Sequence, residues 1–183
     1  MILWPFRRGT EHRTIAALYG AIVTQARSTA FYVDFGVPDT VQGRFDLIVL
    51  HLVLLLRRLE REEDTAQVLG QQLFDTFCRD LDGNLREMGI GDLAVPKHMR
   101  RFGEAFYGRQ AAYLAALGAT DAMDFENALA RNIFQVMGPD DRTARLARYA
   151  RAALRELDVQ DRARITLGEV AFPKPEAFAD VRA

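Results

Sequence analysis

The sequence predicts an all-α protein: a single helical bundle of about six helices followed by an extended C-terminal arm. Three observations lead there. Apolar residues recur three and four positions apart through almost the whole chain. Glycine, proline and acidic capping residues interrupt that pattern at intervals suited to helix ends. The chain has 183 residues, 49% hydrophobic and 27% charged, which suits one globular domain with an ordinary core.

Taken in order, Ile15, Leu18, Tyr19, Ile22, Val23 and Ala26 form the stripe of a first helix. Phe31 to Pro38 breaks the pattern, and Gly36 and Pro38 mark a loop or short extended arm. Asp39 followed by Gln42 resembles a capping pair that opens the second helix. That helix is apolar on every face from Phe45 to Leu56, so it should be the most buried element, and it ends in the charged run Arg57 to Asp64. Asp64 and Gln67 repeat the capping pattern ahead of a third helix through Leu69, Leu73, Phe74, Phe77 and Leu81.

Gly83, Gly89 and Gly91 then punctuate a connection, LREMGIGDL, in which Gly89 and Gly91 are expected to adopt positive φ. Pro96 suits the first turn of a fourth helix, with Phe102, Phe106, Tyr113, Leu114 and Leu117 facing inward and Gly118 at its end. A fifth helix carries Phe125, Leu129, Ile133, Val136 and Met137 and stops at Gly138-Pro139. The sixth follows Asp140 and carries Leu146, Tyr149, Ala153 and Leu157. Beyond Arg164 two prolines argue for an extended arm. No repeat or linker divides the chain, so 1–183 reads as one domain.

Composition excludes several functions. A net charge of −1 argues against a general DNA or RNA binder, which carries a clear basic excess. Lys97 and Lys174 are the only lysines among many arginines. The single cysteine, Cys78, forbids an internal disulfide and sits at helical spacing among phenylalanines, as a small core residue does. The N-terminus does not read as a secretory signal, and the apolar run Leu47 to Leu56 falls short of the ~20 residues that cross a bilayer. A cytoplasmic protein, at most peripherally attached to a membrane, is expected.

Signatures of catalysis and of metal or cofactor binding are not found. His12, His51 and His98 lack the i, i+4 pairing of a helical zinc site. Asp80, Asp82 and Gly83 lack the remaining ligands of a calcium loop, and Gly89-Ile90-Gly91 lacks a preceding strand and third glycine. Three polar features stand out instead. Arg109 falls within an apolar stripe, which favours an internal ion pair with Asp46, Glu87 or Asp92; the alternative is an anchor at the edge of a binding groove. His51, within an apolar helix, is best explained as a neutral imidazole satisfied by a carbonyl, the alternative being a ligand or proton relay. Arg145, Arg148, Arg151 and Arg155 line one face of the sixth helix, as a solvated row or as a contact for anionic lipid or ribosomal RNA.

The strings RFDLIVLHLVLLLRRL (44–59) and LFDTFCRDLDGNLREMGIGDLAVPKHMRRFGEAFYGRQAAY (73–113) closely resemble the ubiquinol-cytochrome c chaperone family. The resemblance is dense over roughly 10–137 and weaker in the sixth helix and the arm. It covers Phe45, Asp46, Arg58, Leu59 and Asp75, then Arg86, Glu87, Met88, Gly89, Gly91 and Asp92, then Lys97, Met99, Glu104, Tyr107, Gly108 and Arg109. The arginine-rich composition and the missing presequence suggest a bacterial member.

The resemblance implies an assembly chaperone that holds newly made cytochrome b of the bc1 complex, acting by protein binding without catalysis or cofactor. It also implies contact with the ribosome or a small partner protein. Arg86, Glu87, Met88, Asp92, Lys97, Met99, Glu104, Tyr107 and Arg109 are the candidate partner-binding residues. Of these, Arg86, Glu87, Asp92 and Arg109 are expected to form one ion-pair network around the LREMGIGDL turn, with Lys97 on its rim. Met88, Met99, Phe102 and Phe106 are candidate groove residues, although Phe102 and Phe106 read better as core. Two other classes stay open: a small-molecule or cofactor binder with a pocket around Arg109 and Tyr107, and a stable accessory subunit of a membrane respiratory complex.

Overall fold

The computed structural model describes the backbone of residues 4–60 and 64–179, and side chains from 12–60 and 67–179. Among these residues there is no strand. The elements are α1 (Trp4–Ala26), α2 (Thr29–Val33), α3 (Val41–Glu60), α4 (Asp64–Glu87), α5 (Val95–Gly118), α6 (Ala122–Leu129), α7 (Asp141–Val159) and α8 (Arg162–Thr166). A π-helical turn, Ala130–Phe134, continues α6, and a 3-10 turn, Pro175–Phe178, lies in the arm.

The all-α expectation holds, with α3 at the centre. Its run Val49 to Leu56 is buried without interruption, and α1, α4, α5, α7 and the π turn all pack around it. The reason lies in its sequence: a helix apolar on every face gains from contact in every direction, at about 25 cal/mol per Å² of apolar surface removed from water. The cap that starts α3 differs from the expected one. Thr40 Oγ1 accepts from Gly43 N at 3.1 Å, while Asp39 pairs with Arg44 and the Gln42 side chain donates to Asp46. Threonine's hydroxyl sits one residue closer to the first helical N–H groups than the Asp39 carboxylate does. The capping role proposed for Asp64 lies outside the described side chains.

Phe31 to Pro38 is not simply a loop. Thr29–Val33 forms a short helix, and Phe31 and Phe35 are fully buried against the ring of Tyr149. Helix α4 runs through Gly83 to Glu87, so the α4–α5 connection shortens to residues 88–94. Gly89 alone has the positive φ expected there, +80°; Gly91 does not. Pro96 sits in the first turn of α5 as expected. After α6 the chain widens into the π turn and ends on Gln135 in the left-handed region, φ +56°, which turns Met137 fully into solvent rather than inward. Asp140 and Thr143 form a reciprocal capping box at the start of α7.

The arm is docked rather than free. Gln160 holds the backbone of Ala171 at both its N–H and its carbonyl, 2.9 and 2.8 Å, as a neighbouring strand would. Gly168, φ +92°, passes so close to α1 that a Cβ there would stand 2.9 Å from the Ala17 methyl. Phe172 and Phe178 then reach the buried rings of His51 and Tyr149. Residues 165 and 166, expected to be extended, close the short α8 instead, and a single 3-10 turn follows Lys174.

Candidate functional site

Two buried polar clusters hold the bundle together. In the first, His51 is wholly buried; its Nδ1 lies 2.7 Å from the Leu47 carbonyl and its Nε2 2.7 Å from the Tyr149 hydroxyl. Gln25 donates to that hydroxyl oxygen at 2.9 Å. The pattern closes in one way only: Nδ1–H donates to the carbonyl, Tyr149 donates to Nε2, and the tyrosine oxygen accepts from Gln25. The imidazole is therefore neutral, and burial lowers its pKa to about 4. This is the satisfied core histidine expected, not a ligand or relay.

In the second cluster Arg109 Nε lies 2.8 Å from Asp46 Oδ1, which also accepts from Gln42. Asp46 is fully buried and Arg109 nearly so. Burial raises the Asp46 carboxyl to about 6, with Arg109 and Gln42 pulling the other way. Asp46 Oδ2, also buried, has no hydrogen-bond partner among the described residues. The internal ion pair read from the apolar stripe is thus present, with Asp46 as its partner.

The expected four-residue network around the turn is not formed. Arg86 pairs with Asp82 at 2.7 Å and with Asp92 on the surface, while Arg109 sits apart on Asp46. Helix α4 extends about one turn further than the glycine at 83 suggested, so Arg86 meets Asp82 one turn back on its own helix. Lys97 is exposed on the first turn of α5 and Met99 is half-buried. Glu104 is exposed, 3.7 Å from Arg100. Tyr107 is exposed against the rings of Phe74 and Phe106, and lines a separate cleft between α3, α4 and α5. The arginine row of α7 also divides: Arg145 donates to the Asp34 carbonyl and covers Phe35, and Arg151 covers Phe125, so the four do not form one solvated face.

What the fold does build is a groove of about 330 Å³ between α1, α3, α4 and α5. Phe45, Phe77, Phe102 and Ile48 form its floor, and Leu81, Leu85, Met88 and Val41 its sides. Val41 and Met88 are well exposed for apolar residues, at 74% and 59%. Glu87 and Met88 of the predicted set line it; Phe106 is core, whereas Phe102, read as core, stacks on Phe45 and faces the groove. Arg27 and Arg44 stand on the α1–α3 wall, and Asp80 and Glu87 on the α4 wall. Tyr19 was legible only as a stripe residue; its hydroxyl donates to Asp80 at 2.8 Å, and burial raises its pKa. Four helices contribute, and no single stretch of sequence carries that signal.

The model of the family described as ubiquinol-cytochrome C chaperone matches residues 33–172, which reach from α2 through α7 into the arm. The chain belongs to the ubiquinol-cytochrome c chaperone family. Its fold agrees with that of the Cbp3 homolog from Brucella abortus, with a TM-score of 0.86 and 36% identity, covering 96% of this chain and 98% of that one. Ubiquinol-cytochrome-c reductase complex assembly factor 1 of Xenopus laevis is 26% identical over 162 residues, 86% of this chain and 80% of its own. The Mus musculus assembly factor 1 is 26% identical over 147 residues; the match spans 79% of this chain and 50% of that protein. Within the family pattern, Phe45, Asp46 and Arg58 are buried. Arg58 donates to the carbonyls of Leu157 and Gln160 at the end of α7, where a cation is favoured by the helix dipole. These three positions support the fold.

Proposed function

We propose that this protein is an assembly chaperone of the ubiquinol-cytochrome c reductase complex, binding newly made cytochrome b and releasing it to partner subunits without catalysing a reaction. The observation that carries the reading is the family match across 33–172, supported by an equivalent fold over nearly the entire chain. The polar clusters agree with it: His51, Asp46 and Arg109 are spent on holding helices together, which leaves partner contact to the surface. Among the described residues no helix is long and apolar enough to cross a membrane. In this reading the protein works on the cytoplasmic side, in peripheral contact with its membrane client. The competing small-molecule reading loses its basis, because Arg109 is turned to Asp46 while Tyr107 faces a different cleft.

The deciding experiment is a clean deletion strain, in which assembled cytochrome b and reductase activity are measured beside crosslinking of the tagged protein in native membranes. Low reductase and cytochrome b among the crosslinked products support the reading. Normal reductase levels in the deletion strain refute it.

A further inference from the structure

The groove between α1, α3, α4 and α5 has the chemistry of a helix-binding site. We infer that it takes an amphipathic helix of a partner protein, with an apolar stripe in the groove, a carboxylate toward Arg27 and a cation toward Glu87. The volume supports anchors and not a whole helix. A helix with its side chains is about 10–12 Å across, so two turns of it exceed the groove of about 330 Å³. Phe45, Phe77 and Phe102 form an aromatic floor on which one or two large side chains can rest, while Val41 and Met88 stand exposed at the mouth. Met88 supplies an adaptable edge, as methionine does where partner side chains vary.

The charges choose among helical occupants. Of the four charged residues in the walls, Arg44 is tied to Asp39 at 2.8 Å and Asp80 accepts from Tyr19 and Asn84. Arg27 at the end of α1 and Glu87 at the end of α4 have no counter-ion among the described residues. A membrane-spanning helix, apolar all round, would cover both charges and return nothing for their lost hydration. An amphipathic helix with acidic and basic flanks pairs both, and its third face stays in water. The groove therefore suits an interfacial or soluble helix of the partner, not one of its membrane spans. The inference deepens the chaperone reading but does not depend on which protein supplies the helix.

The test uses the full chain and a labelled synthetic peptide of about four turns, with Leu and Phe at i, i+3, i+4 and i+7, Glu on one flank and Lys on the other. A second peptide carries the flanks exchanged, and a third is apolar on all faces apart from solubilising ends. Fluorescence anisotropy should show saturable binding of the first peptide, weakened about tenfold by Val41→Glu and by Met88→Glu, both at exposed sites that leave the melting temperature in place. The exchanged peptide should bind weakly to the parent and recover on the Arg27→Glu, Glu87→Lys double variant. Equal binding by parent and groove variants, preference for the all-apolar peptide, or indifference to the charge exchange each overturns the inference. Failure here leaves reductase assembly in the deletion strain untouched as evidence, and normal assembly there leaves peptide binding standing.

Discussion

Replacing Arg109 by alanine removes the counter-ion of a carboxylate that water cannot reach, and the size of the effect can be worked from Asp46. Its pKa is raised to about 6 in the fold, first by burial, against an unfolded value near 3.8. The folded state therefore holds a proton more tightly than the unfolded chain, and stability falls as pH rises through that window. At about 1.36 kcal/mol for each unit of pKa, ionised Asp46 costs about 3 kcal/mol at neutral pH even with Arg109 present. Without Arg109 the carboxyl titrates higher still. The loss is bounded, because the fold can take up a proton instead, which at pH 7 costs about 4 kcal/mol by the same relation. The ionic part of the Arg109→Ala effect is thus about 1 kcal/mol at pH 7. Packing of the arginine over Phe45, 5.8 Å from the ring centre, adds about 1–2 kcal/mol. At pH 5 both proteins hold Asp46 largely protonated, so only the packing part remains. Urea unfolding at pH 7 and pH 5 reads the difference directly, and the titration of His51 cancels between parent and variant. A destabilisation of about 3 kcal/mol at pH 7 that shrinks by about 1 kcal/mol at pH 5 is expected. Equal losses at both pH values, or none at pH 7, would show that Asp46 is not an ionised, desolvated partner.

Four further outcomes are expected. His51 is held neutral, with a pKa of about 4 against 6.5 unfolded, so its contribution is complete above pH 6.5 and about 3 kcal/mol is lost as pH falls toward 4. In Asp46→Asn, which removes the opposing titration, urea midpoints should fall more steeply over that range than in the parent; a parallel profile would refute the assignment. Tyr149→Phe leaves buried His51 Nε2 without its donor and should cost about 1–3 kcal/mol in the same assay. Lys97→Glu, on the exposed first turn of α5, should reduce recovery of cytochrome b in a pull-down while the melting temperature changes little. If 1–183 is one domain, calorimetric and van't Hoff enthalpies of unfolding should agree in a single transition.

The sequence by itself determined the class of fold, the central place of α3 and the family to which the chain belongs. Periodicity is a local property, so the 3.6-residue repeat reveals a helix and the all-round apolarity of Phe45 to Leu56 reveals that it is enclosed. A buried arginine must find a carboxylate, which made the ion pair of Arg109 legible although its partner remained one of three. Which carboxylate it meets was decided by how α3 packs on α5, and no spacing along the chain encodes that. The same holds for the turn after α4, where Gly83 read as a break but the helix continued to Glu87, because tertiary packing outweighs the modest helix penalty of one glycine. The docked arm and the groove rest on contacts between residues far apart in the chain, such as Gln25 with Pro173 and Phe45 with Phe102. Such pairings appear only when several helices close on one another, since their energy belongs to the packed arrangement and not to any one segment.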